Sequence, residues 1–226
     1  MRRIVTLVLV TAAAVAAATV ALAAASPKAV RASIVAAALA QQSVHWASTL
    51  DGHGTIATTA DVNANSGRER ITWDHAAGTV RILLVDHTAY VKGDALGLGD
   101  ALGLTHAQAT QYAGQWISIP KGDQLYAGTV HGLTIASIVH DATPRGKLKV
   151  LLTKSHGKRL LIVHGTSAKR LFRSKLTAHA SSNPLPIAFT EGGIDTFRRG
   201  RFSKWNESVT VQAPASSTPI ATVRGG

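Results

Sequence analysis

Residues 114–123 read GQWISIPKGD, and this stretch decides the fold. In an extended chain successive side chains point to opposite faces, so Trp116 and Pro120 share one face while Ile117 and Ile119 share the other. This alternation between two glycine-containing breaks predicts a short strand. The segments on both sides of it have helical patterns. The fold must therefore combine helices with a sheet.

Helices are predicted at three places outside this strand. Ser26 followed by proline favours the start of a helix over Pro27–Gln42, because the hydroxyl can cap the first turn. Thr105 can cap a second helix that runs to Tyr112. A third helical region follows the strand and is interrupted near Gly132.

The rest of the chain has the alternation that is typical of strands. Period-two patterns separated by turn-forming clusters fill residues 44–93, and similar segments fill residues 147–214. Hairpin-length connections between neighbouring strands favour antiparallel pairing. Segregated helices and strands of this kind predict an α+β protein with an antiparallel sheet.

The N-terminus has the pattern of an export signal. Two arginines precede an apolar stretch, and an A-x-A pattern at Ala21 and Ala23 follows it. A cleaved signal peptide and an uncleaved signal anchor both remain open. We therefore expect residues 1–25 to direct export and residues 26–226 to form a single domain. The protein is then secreted or held in the cell envelope, outside the cytoplasm.

The composition excludes several kinds of site. The formal net charge is +12, so attraction to anionic surfaces is expected. The chain has no cysteine, which rules out disulfides, cysteine-based zinc sites and a lipid-modified cysteine. Its ten histidines lack the spacing that would place two imidazoles together on a helix or strand, so no metal site is expected.

Catalytic and cofactor motifs are missing as well. Gly97, Gly99 and Gly103 have a spacing one residue away from the dinucleotide-binding fingerprint, and no strand, helix and strand unit follows them. The segment His164–Ala168 reads HGTSA and lacks the second glycine of a nucleophile elbow. The twelve acidic residues are scattered singly, so no general acid and base pair can be nominated. We expect neither enzyme activity nor a cofactor.

Basic residues concentrate late in the chain. Arg198, Arg199, Arg201 and Lys204 are interleaved with aromatic residues and predict a surface for anionic polymers or anionic lipid headgroups. The composition also suits nucleic acid, but export argues against that partner. The alternative for most of these basic residues is a solvated sheet face.

Three segments resemble a known family. They read YVKGDA at 90–95, AQATQYAGQWISIPKGDQLYAGTVHGLTIASIV at 107–139 and FSKWNESVTVQAPASSTPI at 202–220. Over nearly its whole mature length the chain resembles actinobacterial exported proteins related to the LppX and LprG lipoproteins. It differs from those lipoproteins at the signal boundary, where the lipid-carrying cysteine is missing and the sequence reads LAAASPK.

The resemblance implies a LolA-like architecture, in which helices pack in the concave face of a strongly curved antiparallel half-barrel. It also implies an apolar cavity for envelope lipids or glycolipids and no catalytic residues. The first interpretation is therefore an extracytoplasmic lipid carrier that holds acyl chains and makes peripheral contact with an anionic membrane surface. The residues expected to line the cavity are Leu96, Leu98, Leu102, Leu104, Leu133 and Ile138. The alternative is a secreted interaction module whose basic face binds anionic cell-wall polymer or a partner protein.

Overall fold

The computed structural model describes residues 25–74, 77–168 and 171–225. Within them the chain forms two compact units. The smaller unit contains residues 25–40 and 142–194, and the larger unit contains residues 41–141 and 195–225. The predicted export signal lies, except for Ala25, outside the described residues.

Helices and strands follow one another along the described chain as predicted in kind. The first half contains α1 (Pro27–Leu39), β1 (Ser43–Gly52), β2 (Gly54–Asn63), β3 (Gly67–Trp73), β4 (Thr79–Val85), β5 (Thr88–Gly93), α2 (Ala95–Leu102), α3 (His106–Tyr112) and β6 (Ile117–Pro120). The second half contains α4 (Tyr126–Thr129), α5 (Ile135–Ala142), β7 (Lys147–Ser155), β8 (Lys158–Thr166), β9 (Arg173–His179), β10 (Pro186–Gly192), β11 (Phe197–Ser203), β12 (Thr218–Pro219) and α6 (Ile220–Gly225).

The sheet of the larger unit is a meander. Its strands run in the order β12, β6, β5, β4, β3, β2, β1 and β11, and all neighbours are antiparallel except β12, which pairs with β6 in parallel. Most neighbours are joined by short turns, which is the connection that antiparallel strands allow. The sequence therefore sets the strand order for most of this sheet.

The two faces of this sheet differ sharply in composition. One face, which we call the inner face, carries the buried side chains of Trp46, Ile82, Val91 and Ile117. The opposite face, which we call the outer face, carries the alternate residues of the same strands, among them Arg81. Because side chains alternate along a strand, neighbouring residues on one strand belong to different environments.

The inner face packs against short helices in one apolar cluster. Its members are buried aliphatic residues of β4, β5 and β6, residues of α2, α3 and α6, and two leucines in the links between helices: Val80, Ile82, Leu84, Ala89, Val91, Leu98, Leu102, Leu104, Ala109, Ile117, Ile119, Leu133, Ile220 and Val223. Removal of this apolar surface from water is the main force that holds the helices on the sheet.

Side-chain caps define the helix starts that the sequence predicts. The Ser26 hydroxyl accepts a hydrogen bond from the backbone N–H of Ala29 at 3.3 Å, and α1 begins at the following proline. Thr105 and Gln108 form a reciprocal capping box at the start of α3. Both predicted helix starts are confirmed.

Helix α2 was not predicted, because glycines at Gly97 and Gly99 weaken its helical pattern. Asp94 caps this helix by accepting from the backbone N–H of Gly97 at 2.7 Å. Gly97 is buried, and a Cβ atom there would lie 2.6 Å from the carbonyl oxygen of Thr79. The glycine therefore allows α2 to approach β4 closely, which is a role in packing.

The described residues of the smaller unit form four strands and one helix. Its strands lie in the order β10, β9, β8 and β7, all antiparallel to their neighbours. Helix α1 packs on β7 and β8 with Val30, Ile34 and Ala38 buried. The guanidinium of Arg31 on this helix donates to the carbonyl oxygen of Pro144 at 3.2 Å.

The predicted fold class is confirmed, with one local correction. Apart from the short parallel strand β12, the strands of each unit pair antiparallel, and helices pack against them, as an α+β protein requires. A strand at 208–214 was expected from alternation in the sequence, but these residues form no strand. Within residues 25–225 as described, no helix has the length and apolar composition needed to cross a membrane.

Candidate functional site

Four of the six predicted lining residues lie in one apolar cluster. Leu98, Leu102, Leu104 and Leu133 are all at most 9% exposed and belong to the cluster on the inner face. Leu98 and Leu102 lie four residues apart on α2, so both point to the same side of that helix. The structure brings these four leucines together over β4, β5 and β6.

The other two predicted residues lie in different settings. Ile138 on α5 is buried, but it lies outside that apolar cluster. Leu96 on α2 is 53% exposed, which makes it one of the most exposed large apolar side chains of the larger unit. Leu96 therefore lies at the surface, beside the buried leucines of the same helix.

Two side chains with polar atoms, Trp46 and Glu69, lie on the inner face next to this apolar region. Trp46 is 3% exposed, and its indole N–H has no hydrogen-bond partner within the described residues. Glu69 on β3 is 7% exposed. A Cβ atom at Gly132, in the link between α4 and α5, would lie within 3.3 Å of the Glu69 Oε1 atom and 3.5 Å of the Trp46 ring. Both side chains therefore lie directly beneath this link.

The carboxyl group of Glu69 is protonated at neutral pH. Burial raises its pKa from the ordinary value of 4.5 to about 8, and the positive charge of Arg198 opposes the rise only in part. The guanidinium carbon of Arg198 lies 5.6 Å from the centre of the Trp46 ring, in a cation–π arrangement. A neutral carboxyl group, an unpaired indole N–H and a guanidinium group thus lie near one another on the inner face.

The carboxylate of Asp141 lies close to Arg198 and to two histidines. It lies 2.6 Å from Nε2 of His131, 3.6 Å from Nδ1 of His140 and 3.9 Å from Nη1 of Arg198. The sequence separates these two histidines, and the interrupted helical region brings both to one carboxylate. Within the described residues no cluster of three or more histidine and acidic side chains could hold a metal ion.

The four predicted basic residues do not form one patch. Arg199 and Arg201 are exposed on the outer face, opposite Thr49 and Ala47 in the register of β1 and β11. Arg198 points to the inner face and is 26% exposed at its side chain. Lys204 follows the strand in a backbone conformation with φ 53° and lies 3.8 Å from Glu207.

A second set of cations, which the sequence analysis did not single out, lies on the outer face. Arg70 of β3 is directly opposite Arg81 of β4, and Arg81 is directly opposite Lys92 of β5. The Lys92 amino group lies 5.9 Å from the centre of the Trp116 ring. We call these three cations and this ring the outer row. Its cations recur every eleven residues, and that spacing was the signal in the sequence.

Two pockets adjoin the outer row. The first has a volume of about 340 Å³, and its walls include Asp61, Arg70, Arg81, Leu83 and Trp116. The second has a volume of about 410 Å³ and is bounded by Arg81 and Lys92 on one side and by the end of α3 on the other. Both volumes fall in the range of small-molecule sites.

Comparisons with known proteins place the fold. No protein-family model matches the chain, and no curated protein matches its sequence. Among solved structures, LprF from Mycobacterium bovis aligns over 84% of this chain and 97% of its own, with a TM-score of 0.52 and 14% identity. The Mycobacterium tuberculosis lipoprotein LppX aligns over 83% of this chain and 100% of its own, with a TM-score of 0.49 and 18% identity. The chain therefore has the fold of LprF, as the sequence resemblance predicted.

Proposed function

We propose that the protein is an extracytoplasmic lipid-binding protein that holds the acyl chains of envelope lipids against the inner face. The observation that carries the proposal is the construction of the layer that covers this face. It is rich in leucine, and each of its helices is only four to eight residues long. Helices this short are not stable alone and depend on packing. Their position therefore depends on apolar packing against the sheet, and an acyl chain can replace part of that packing.

An acyl chain is suited to such a layer. Leu98, Leu102 and Leu133 belong to one apolar cluster, and burial of apolar area contributes about 25 cal/mol per Å². Leu96 would lie at the entrance because it is exposed at the start of α2. The proposal includes no catalytic step, and its partner is a lipid or glycolipid of the envelope.

The indole N–H of Trp46 and the carboxyl group of Glu69 on the inner face support the same proposal. A lipid has an ester or headgroup oxygen beside its acyl chain, and the unpaired N–H of Trp46 is a donor for such an oxygen. A buried donor without a partner costs about 1 to 3 kcal/mol, so a ligand that supplies an acceptor removes that cost. The neutral carboxyl group of Glu69 can donate a second hydrogen bond.

The test is uptake of a fluorescent fatty acid, cis-parinaric acid, by the delipidated protein. We expect saturable uptake and displacement by phospholipid, together with lipid in native mass spectra of protein purified from its own envelope. Leu96→Asp should weaken uptake several-fold, because it places a charge at an apolar entrance.

The matched control is Leu152→Asp, which changes another exposed leucine in the smaller unit and should leave uptake unchanged. Leu102→Asp is unsuitable as a test, because Leu102 is buried in the core and the variant would unfold. Absence of uptake by the unaltered protein, or equal losses in the Leu96 and Leu152 variants, would reject the proposal.

A further inference from the structure

The outer row carries a charge cost that the fold does not need. Like charges that lie directly opposite on neighbouring strands are destabilising, and Arg70, Arg81 and Lys92 occupy three such positions in succession. No described carboxylate forms an ion pair with any of the three. A set of uncompensated cations in one line is suited to an anionic ligand.

The carboxylates of Asp61 and Asp94, close to the outer row, bind other groups. Asp61 lies 2.7 Å from Nδ1 of His45 and 2.8 Å from Nε of Arg68. Asp94 accepts hydrogen bonds from the backbone N–H groups of Gly97 and Thr79. Neither carboxylate forms an ion pair with a cation of the row.

Trp116 adds an apolar surface beside these charges. The ring is partly buried, and together with Leu83 it forms an apolar wall of the pocket of about 340 Å³. Arg70 and Arg81 form another wall of the same pocket. The pocket thus combines an aromatic surface with guanidinium groups, which can bind a carboxylate, sulfate or phosphate in bidentate fashion.

The remaining walls carry groups that suit hydroxyls. Asp61 and Thr59 supply oxygen acceptors, His45 supplies a ring nitrogen, and the hydroxyl of Thr59 can also donate. Insertion into a membrane would require exposed large apolar side chains at this pocket, and none of those among the described residues lines it. One aromatic ring is also fewer than the successive stacking platforms of single-stranded nucleic acid grooves.

The geometry points to a binding site for an anionic saccharide in this pocket, with a sugar ring packed on Trp116 and its charged substituent held by Arg70 and Arg81. The apolar face of a pyranose ring matches an indole surface, and the sugar hydroxyls match Asp61 and Thr59. The same chemistry is offered by a soluble acidic saccharide and by a sugar-bearing anionic lipid headgroup. This site is independent of lipid binding at the inner face.

The test is calorimetric titration of the full chain with a sulfated tetrasaccharide derived from heparin. Arg81→Gln should weaken binding about tenfold or more, the usual scale for loss of a hydrogen bond to a charged group. Trp116→Leu should weaken it several-fold even at about 0.5 M salt, where screening leaves only contacts of a few ångströms. Neutral maltotetraose and inorganic sulfate should each bind far more weakly than the tetrasaccharide.

The control is Arg173→Gln, which removes one exposed charge from the smaller unit and should change the affinity less than twofold. An equal effect of the Arg81 and Arg173 variants would reduce the binding to net charge and overturn the site. Unchanged affinity in Trp116→Leu, with an unchanged melting temperature, would overturn the saccharide assignment. Tighter, Trp116-dependent binding of a thymidine oligonucleotide would overturn it as well.

Binding to vesicles distinguishes a soluble saccharide from a lipid headgroup as the ligand of this pocket. We compare phosphatidylinositol vesicles, which present a ring with hydroxyls, with phosphatidylglycerol vesicles of equal charge. A preference for phosphatidylinositol that Trp116→Leu removes and the tetrasaccharide competes away assigns the site to a lipid headgroup. Equal binding to both vesicles with retained tetrasaccharide binding assigns it to a soluble saccharide. The proposal is wrong if the tetrasaccharide binds no better than maltotetraose and inorganic sulfate, and phosphatidylinositol vesicles bind no better than phosphatidylglycerol vesicles.

Discussion

The two faces of the larger sheet are made by the same strands and have opposite properties. On β4, Ile82 is 4% exposed in the apolar core, whereas the next residue towards the N-terminus, Arg81, is exposed on the outer face. The inner face contains the buried Glu69, whose carboxyl group is kept neutral, and the outer face contains a line of charged cations. The difference shows that one face is selected for packing and the other for contact with solvent or a ligand.

The largest effect should come from a charge placed in the inner face. Leu98→Asp removes a fully buried leucine from the cluster and buries a carboxyl group instead, so we expect a loss of more than about 5 kcal/mol of unfolding free energy. Leu96→Asp, two residues earlier and 53% exposed, should cost less than about half a kcal/mol. Urea unfolding followed by circular dichroism measures both.

A small loss for Leu98→Asp would mean that α2 does not pack on the sheet as the structure shows. A large loss for Leu96→Asp would mean that the exposed leucine is covered in solution. In either case the division between a packed inner face and an exposed margin would have to be redrawn.

The sequence predicts the inner face well because its pattern is local. At β6 the alternation separates Ile117 and Ile119 from Trp116, which precedes the strand, and both isoleucines are fully buried. The local sequence pattern does not predict α2, because glycine lowers helix propensity. Gly97 becomes favourable only because α2 packs closely on β4. The contact between α2 and β4 is tertiary, so a local sequence pattern does not contain it.

The second prediction concerns the titration of Glu69. Its folded pKa of about 8 exceeds the ordinary value of 4.5, so between these values the unfolded state loses a proton that the folded state keeps. Stability should therefore fall as the pH rises through this window, and it should level off above pH 8. Glu69→Gln removes this cost and should be more stable than the unaltered protein by roughly 4 kcal/mol at about pH 8 to 9.

Well below pH 4.5 the carboxyl group is neutral in both the folded and the unfolded state, so the two proteins should then be similar in stability. The control is Glu207→Gln, an exposed acid 3.8 Å from Lys204, whose pH profile should match that of the unaltered protein. Denaturant midpoints measured across this pH range provide the comparison. A pH profile that Glu69→Gln leaves unchanged would show that water reaches this carboxyl group on the inner face.

The candidate sites were harder to predict than the core, and for different reasons. The predicted leucines were found from composition and resemblance, and the structure unites four of them. The predicted cations were chosen by proximity in sequence, but alternation on β11 sends Arg198 and Arg199 to opposite faces. The outer row depends on register between three strands, which a single sequence determines only once every turn is placed.

The smallest effect should come from the outer row itself, and it should have the opposite sign from that of the core variant. Arg81→Thr removes the middle cation between Arg70 and Lys92, so relief of repulsion should stabilise the fold by about 0.2 to 1 kcal/mol at low salt. The gain should shrink towards zero at about 1 M salt, where the screening length is about 3 Å. Arg173→Thr, whose partners on β8 and β10 are uncharged, controls for strand propensity and should show no such salt dependence. If Arg81→Thr destabilises the protein at every salt concentration, the cation contributes to folding, and the outer row would then be a structural feature without need of a ligand.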